Sequence, residues 1–283
     1  MIITERKLFG ILPYTTVFFP SAGAMMEIVH GLGPSQLARF FWTAAETEPP
    51  ERLVEHRPTA TVCIDLRNTT EELWSAISKN GRNEIRGAER LDTRVRIACN
   101  GVEARADFLS LYNTFARTKA EVSQISTHVL DRYGNHADIF VAYLDDRPTC
   151  AHVYLKDPSL GRARLLYSAS RRLEDPHLSR LCGNLNRLLH WREMCRYRED
   201  GFITYDFGGI REDENDGIAR FKRSFGGKVT KEHTYLCAGL PRIGVALERV
   251  REKLRRHPRR ARREQVAQQA TVARGSGQGA RDA

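Results

Sequence analysis

The sequence predicts an α+β protein, a mixed and mostly antiparallel sheet flanked by helices. Three observations lead there. Apolar residues alternate in short runs such as Thr61 to Leu66, the pattern of a half-buried strand. Two longer segments, one over Asp107 to Lys119 and one over Leu178 to Cys195, repeat their apolar residues at helical spacing. Turn chemistry at Asp145-Asp146-Arg147-Pro148 and at Asp157 to Gly161 separates three successive strand-like runs.

Taken in chain order, residues 1 to 58 are the hardest to place. Gly31 to Pro34 and Glu48 to Glu51 are breaks, and Gln36 to Ala45 is expected as a short helix. Arg6-Lys7 precede an uncharged run from Leu8 to Phe19, and Ala22-Gly23-Ala24 has the small residues of a cleavage site. Pro13, Tyr14, Thr15 and Thr16 interrupt that signal-like outline, and Glu5 sits in its basic part. From Thr61 the pattern sharpens. Val62, Ile64 and Leu66 alternate, and Asn68-Thr69-Thr70 with Glu71 and Glu72 supplies a cap and an acidic first turn for a helix to Ser78. Arg94 to Ile97 reads as a short strand. Phe108, Leu111, Tyr112 and Phe115 form one face of the next helix.

Ile139 to Leu144, Cys150 to Leu155 and Ala163 to Ser168 read as a three-stranded meander. A long helix follows, with Leu178, Leu181, Cys182, Leu185, Leu188, Leu189 and Cys195 on one face and Arg180, Asn184 and Arg187 opposite. The last elements are a strand at Phe202 to Phe207, a helix near Gly217 to Ser224, and a strand from Lys228 to Leu236. Beyond Leu254 the chain is rich in Arg and then in Ala, Gln and Gly, with too little apolar surface to fold, so a disordered tail is expected.

Composition narrows the function classes. The 283 residues carry a net charge of +10, but residues 251–283 contribute +7 of it and the remaining body only +3. The body is close to neutral, and the basic tail from Arg255 to Arg263 is where RNA or an acidic membrane surface could bind electrostatically. The tail has no aromatic residue to stack on bases, and a solvated terminus is the plainer reading. Six cysteines are scattered without a CxxC pair, which suits a reducing cytoplasm. No apolar run reaches the ~18 residues of a membrane span. The histidines form no metal-type pair, no Ser/His/Asp order or phosphate-binding loop is present, and no metal is expected.

The most informative stretch is Tyr205-Asp206-Phe207-Gly208-Gly209, followed by Gly217 to Gly227 with Phe221, Lys222 and Phe225. It reads as a buried strand ending in a glycine pair, a loop, a short helix and a second glycine turn. Glycines at a strand end allow another backbone or a ligand to come close. Its FK...FGG sequence resembles the FemAB family, acyl- and aminoacyltransferases on the GNAT (acetyltransferase) fold. The strand Thr61 to Leu66, the helix after it and Asn80 to Arg90 resemble the same family's "R..IR.AE" segment. Together the two cover most of residues 60 to 238.

The resemblance implies a GNAT-like sheet whose N-terminal half is reduced, residues 1–100, with the acyltransferase core over 101–250 and the tail over 251–283. It implies a cleft in which an acyl donor meets an amine acceptor, on a cell-envelope precursor, a polysaccharide or a metabolite. The donor would be an acyl-coenzyme A or an aminoacyl-tRNA, with no permanently bound cofactor. The Arg/Gln-x-x-Gly-x-Gly loop that holds the coenzyme A pyrophosphate in GNAT enzymes has no counterpart, since the chain reads Arg171-Arg172-Leu173-Glu174-Asp175-Pro176-His177 there. A scaffold that has lost catalysis and binds a partner is the alternative.

Candidate residues follow from both sources. Lys222, with Phe221, matches a family pair near the reacting carbonyl, where a fixed cation would stabilise the developing oxyanion. Lys222 on a solvated helix face is the bland alternative. Asp206 either accepts a proton from the attacking amine or orients it, or it caps the following turn through its carboxylate. Phe225 would help exclude water, or belong to the core. Tyr167 and Ser168, late on a strand, could line the cleft. Arg82 and Arg86, four residues apart, share a helix face that either holds a substrate anion or is a solvated surface. His152, between Ala151 and Val153, reads as a satisfied strand residue.

Overall fold

The computed structural model describes residues 1–119, 122–173, 178–211, 213, 216–241 and 245–246. The chain runs β1 (Ile2–Leu8), β2 (Leu12–Phe18), α1 (Ala22–His30), β3 (Leu37–Ala44), β4 (Leu53–Asp65), α2 (Thr70–Ala76), α3 (Lys79–Glu89) and β5 (Val95–Cys99). It continues with α4 (Gly101–Thr118), α5 (Thr127–Asp131), β6 (Ala137–Leu144), β7 (Arg147–Asp157), β8 (Arg162–Ser170), α6 (Ser179–Glu199), β9 (Thr204–Ile210), α7 (Gly217–Arg223) and β10 (Lys228–Ala238). The ten strands of the described residues join one sheet in the order β1-β2-β3-β10-β4-β9-β8-β7-β6-β5. The β2–β3 and β8–β9 pairs are parallel and the others antiparallel. The expected α+β class, mixed and mostly antiparallel, is what the chain adopts.

Strand alternation builds two helical layers. Phe140, Ala142 and Leu144 of β6 enter a core with Leu185, Leu189 and Met194 of α6. Ile139, Val141 and Tyr143 of the same strand enter a second core with Phe108, Leu111 and Tyr112 of α4. Successive side chains on a strand leave by opposite faces, so α6 and α4 cover opposite sides of the sheet. α2 opens with the anticipated cap: Thr69 Oγ1 accepts from the Glu72 amide at 3.2 Å, and the Glu72 carboxylate accepts from the Thr69 amide at 2.8 Å.

The N-terminal region corrects one expectation. Residues 36–45 are the strand β3, not a helix, with parallel pairing to β2 and antiparallel pairing to β10. Leu37, Ala38, Arg39 and Phe40 are all buried, and a strand enclosed on both faces loses the alternation that would mark it. The uncharged run before Phe19 is β2. The small residues after it open α1, whose Met25 and Val29 are buried and whose cap is Ser21.

The division expected near residue 100 falls between β5 and α4, two elements that both pack on β6. The basic tail lies outside the described residues. Among the described residues, no helix is long and apolar enough to cross a membrane.

Candidate active site

The parallel pairing of β8 and β9 runs only from Arg162 with Thr204 to Arg164 with Asp206. C-terminal to that point a cavity of about 1290 Å³ opens, lined among others by Leu165, Ser168, His190, Gly208, Phe221 and Lys222. The local sequence explains the parting. Between Thr61–Gly209 and Cys63–Asp206 the β4–β9 register shifts, and Gly208 lies in that bulge with a φ of +71°. A side chain there would be doubly excluded, since a Cβ on Gly208 would come within 2.6 Å of the Leu165 carbonyl oxygen. Past this bulge β9 keeps its pairing with β4 at Gly209 and Ile210 but not with β8.

The carbonyls at this bulge are what Lys222 holds. Its ammonium donates to Gly208 O at 3.1 Å and to Gly209 O at 2.7 Å. α7 delivers the side chain from a start capped by Asp216, whose carboxylate accepts from the Ile218 amide at 2.9 Å. Burial lowers the Lys222 ammonium from its usual range to about 8, with Asp206 opposing that change and Arg164 adding to it. An ammonium has three donors, so one remains for a third acceptor in the cavity. Phe221 forms part of the same wall. Arg187 lies over its ring, 4.6 Å from the centroid, and donates to Ser224 Oγ at 2.7 Å.

Asp206 does not line the cavity. Its carboxylate is fully buried, accepts from Arg164 at 2.8 Å and from the Gly208 amide at 2.8 Å, and also pairs with Arg162 and Thr61. Burial resists ionisation here, but Arg164 and Arg162 hold the carboxyl below its ordinary range. A group so engaged has no lone pair for an incoming amine, and the bond to Gly208 is the turn-capping arrangement. Glu232, paired with Arg164 at 2.7 Å, completes this buried charge cluster beneath the bulge.

Of the remaining candidates, Ser168 lines the cavity and Tyr167 does not. Strand alternation sends the Tyr167 ring to the opposite face, against Tyr112 and Phe108 of α4 at 5.3 and 6.3 Å. Phe225 is core, 1% exposed, and packs on Phe207 at 4.9 Å behind Phe221. Arg82 and Arg86 are not at the cavity either. Arg82 donates to Ser75 O at 2.8 Å and to Ile77 O, satisfying carbonyls at the end of α2. Arg86 is exposed and lies over the Trp74 ring at 5.4 Å. Both residues fasten α3 to α2. The cavity-facing charge of α3 is Glu84, which is ion-paired with Arg187 of α6.

Sequence reasoning passed over a buried polar cluster below the cavity. The histidines are not all scattered: His152 of β7 and His190 of α6 stack with ring centroids 4.1 Å apart. His152 Nδ1 lies 2.8 Å from Glu193 Oε1, and its Nε2 lies 3.0 Å from Asn186 Oδ1. The Tyr154 hydroxyl donates to Glu193 Oε2 at 2.6 Å, and the Tyr205 hydroxyl contacts both Tyr154 and His190 Nδ1, the latter at 2.7 Å. The signal was the i, i+3 pair His190 and Glu193 within the apolar run Leu188, Leu189, Trp191 and Met194. Ligand-type atoms of His152, His190 and Glu193 lie within 4.8 Å of one another. The contacts just described already occupy those atoms, and two stacked rings cannot both aim a lone pair at one ion. The arrangement suits a hydrogen-bond relay.

Charge around the cavity is mainly positive. Arg172, Arg180, Arg187, Arg220 and Lys222 face Glu84 and Asp216, and Glu84 is spent on Arg187. Such a lining favours an anionic ligand. Beyond β8, Arg171–Leu173 form a single helical turn, and residues 174–177, where a pyrophosphate loop would continue, lie outside the described residues.

The chain is similar to the crystal structure of FemX, with a TM-score of 0.59 at 11% identity over 84% of each chain. It is similar to L-PGS from Bacillus licheniformis, with a TM-score of 0.53 at 11% identity over 84% of this chain and 80% of that one. At such identity these likenesses show the fold. No curated protein sequence matches the chain. Residues 75–223 match the family model described as acetyltransferase (GNAT) domain, a span of more than half the chain that contains β8, β9, α6 and the Phe221–Lys222 pair. The protein belongs to the GNAT acetyltransferase family.

Proposed function

We propose that this protein transfers an acyl or aminoacyl group from a phosphate-bearing donor, an acyl-coenzyme A or an aminoacyl-tRNA, to an amine. The observation that carries the reading is the Lys222 ammonium on the cavity wall, anchored by two carbonyls and keeping one donor free. As an amine attacks a thioester or ester carbonyl, negative charge gathers on the carbonyl oxygen. A fixed cation in a site shielded from water stabilises that charge without having to reorganise, an effect of a few kcal/mol. Phe221 limits water beside the reacting carbonyl. Holding donor and acceptor in one cavity allows direct transfer without a covalent enzyme intermediate. The resemblance to FemAB enzymes favours an acceptor on a cell-envelope precursor or polysaccharide and makes an aminoacyl-tRNA donor attractive. Family membership favours acyl-coenzyme A. The cationic residues Arg172, Arg180 and Arg220 suit the phosphates of either donor.

A thermal-shift series with acetyl-coenzyme A, longer acyl-coenzymes A and charged tRNA separates these donors, because a ligand that binds only the folded state raises the melting temperature. Stabilisation by one donor class, followed by amine-dependent release of its thiol or its deacylated tRNA, is the expected result. No shift with any donor would replace the transferase reading with that of a binding module.

A further inference from the structure

We propose that His190 is the base that takes the proton from the attacking amine, through its cavity-facing Nε2, with Tyr205, Tyr154 and Glu193 forming the relay that orients it. The inference rests on the acyl-transfer reading above and adds to it the residue that handles the proton. Geometry fixes the direction of the relay. An ionised carboxylate only accepts, so the 2.6 Å contact between Tyr154 and Glu193 Oε2 places the Tyr154 proton on that bond. The Tyr205 hydroxyl donates to the same Glu193 Oε2 at 3.0 Å and touches the Tyr154 oxygen, so its proton lies on that side and not toward His190. The Tyr205 oxygen is then the acceptor at 2.7 Å from His190 Nδ1, which must carry its hydrogen. A neutral ring protonated on Nδ1 has a bare lone pair on Nε2. That atom has no hydrogen-bond partner among the described residues, yet no buried side-chain nitrogen or oxygen is left unsatisfied. It therefore meets the open space that His190 lines.

The electrostatics set the resting state of the ring. The groups facing His190 are His152 and Tyr154 from β7, Tyr205 from β9, Glu193 from α6 itself and Lys222 from α7. Burial, reinforced by His152, lowers His190 to about 3 against the pull of Glu193, so the resting ring is neutral and its uptake of a proton depends on the Glu193 carboxylate, 3.3 Å from Nδ1. Burial opposes ionisation of Glu193, yet His152 and His190 hold its carboxyl well below the usual carboxylate range. In the transfer step the amine nitrogen forms the new N–C bond and the carbonyl oxygen takes the displaced electron pair beside Lys222. Nε2 removes the proton from the nitrogen. Collapse of the tetrahedral carbon breaks its bond to the thiol sulfur or ribose oxygen, and the imidazolium returns the proton to that leaving atom. Glu193, whose Oε2 lies 3.3 Å from Nδ1 and accepts from both phenols, stabilises the imidazolium in between.

Two measurements test this on the full chain. Nitrogen NMR of histidine-labelled protein, with the His190 signals identified by their loss in His190→Gln, is expected to show a protonated Nδ1 and a bare Nε2 between pH 6 and 8. A protonated Nε2 overturns the proposal. With a donor and amine that the wild type turns over, His190→Gln is expected to lower kcat by about 10²-fold or more while leaving the donor-induced thermal shift in place. Free imidazole should restore part of the rate to His190→Gly, which a purely structural role would not allow. Tyr205→Phe, which keeps the buried ring, should lower kcat about tenfold, less than the loss of the base itself. His190→Gln within threefold of wild-type kcat overturns the proposal, as does an unchanged kcat in Tyr205→Phe should the first variant not fold. A wild type that turns over no donor and amine sinks the transferase reading instead, and the tautomer measurement tells that failure apart.

Discussion

Lys222 donates to the carbonyl of Gly209 across 2.7 Å, so the ammonium is tied to the same strand whose bulge opens the cavity. That link couples backbone to chemistry. Gly208, with a φ of +71°, lies just past the last β8–β9 pair, and the carbonyls of the bulge locate the cation. Any displacement of the bulge would displace the charge with it.

Activity should depend on the charge of Lys222, which is lowered to about 8 by burial. Below pH 8 the ammonium is present. As pH rises through 8 it is lost, and an oxyanion stabiliser that is lost takes rate with it. The ionisation of the acceptor amine raises rate over the same range, so the informative quantity is a ratio to a variant with a permanent charge. Relative to Lys222→Arg, wild-type kcat/KM is expected to fall about tenfold per pH unit above 8, as titration of a single group requires. A constant ratio between pH 7 and 10 would remove the ammonium from the mechanism.

Asp206 is expected to govern stability. Removing its charge leaves Arg164, only 3% exposed, and the half-buried Arg162 to share the single carboxylate of Glu232. Asp206→Asn should lose about 3–5 kcal/mol in urea unfolding, the cost of breaking a buried pair from one side. A loss below about 1 kcal/mol would show that Glu232 alone can hold both guanidiniums. The sign with pH follows from the lowered native carboxyl. Its contribution is complete above the ordinary carboxylate pKa of about 4 and fades as pH falls below it toward the native value.

How much of this was legible in the sequence depended on how local the determinants are. The strand ending at Gly208, the α7 cap and the Phe221–Lys222 pair depend on near neighbours, and the chain spells them out. Asp206 was visible as a carboxylate at a strand end, but its partners Arg162 and Arg164 lie more than forty residues earlier, and only strand pairing brings them together. Arg82 and Arg86 do sit one turn apart. Which way they turn depends on where α2 lies, and α2 takes them. Tyr167 and Ser168 illustrate the same limit, since alternation gives them opposite faces without saying which is the cavity. His190 and Glu193 stayed hidden because an apolar helical stripe draws attention to its leucines. A buried acid and imidazole one turn apart within that stripe should have been the warning, since an unpaired buried carboxylate is too costly to keep. The β3 residues, expected as a helix, read as a strand only once their neighbours on both edges are in place.

The proposed transfer chemistry rests first on the Lys222 ammonium in the cavity wall. The most direct measurement is single-turnover transfer by Lys222→Ala with a donor and amine accepted by the wild type. A rate lower by about 10²–10³-fold, with donor-induced thermal stabilisation retained, is the predicted result for loss of an oxyanion donor. Full transfer by the alanine variant would contradict the account.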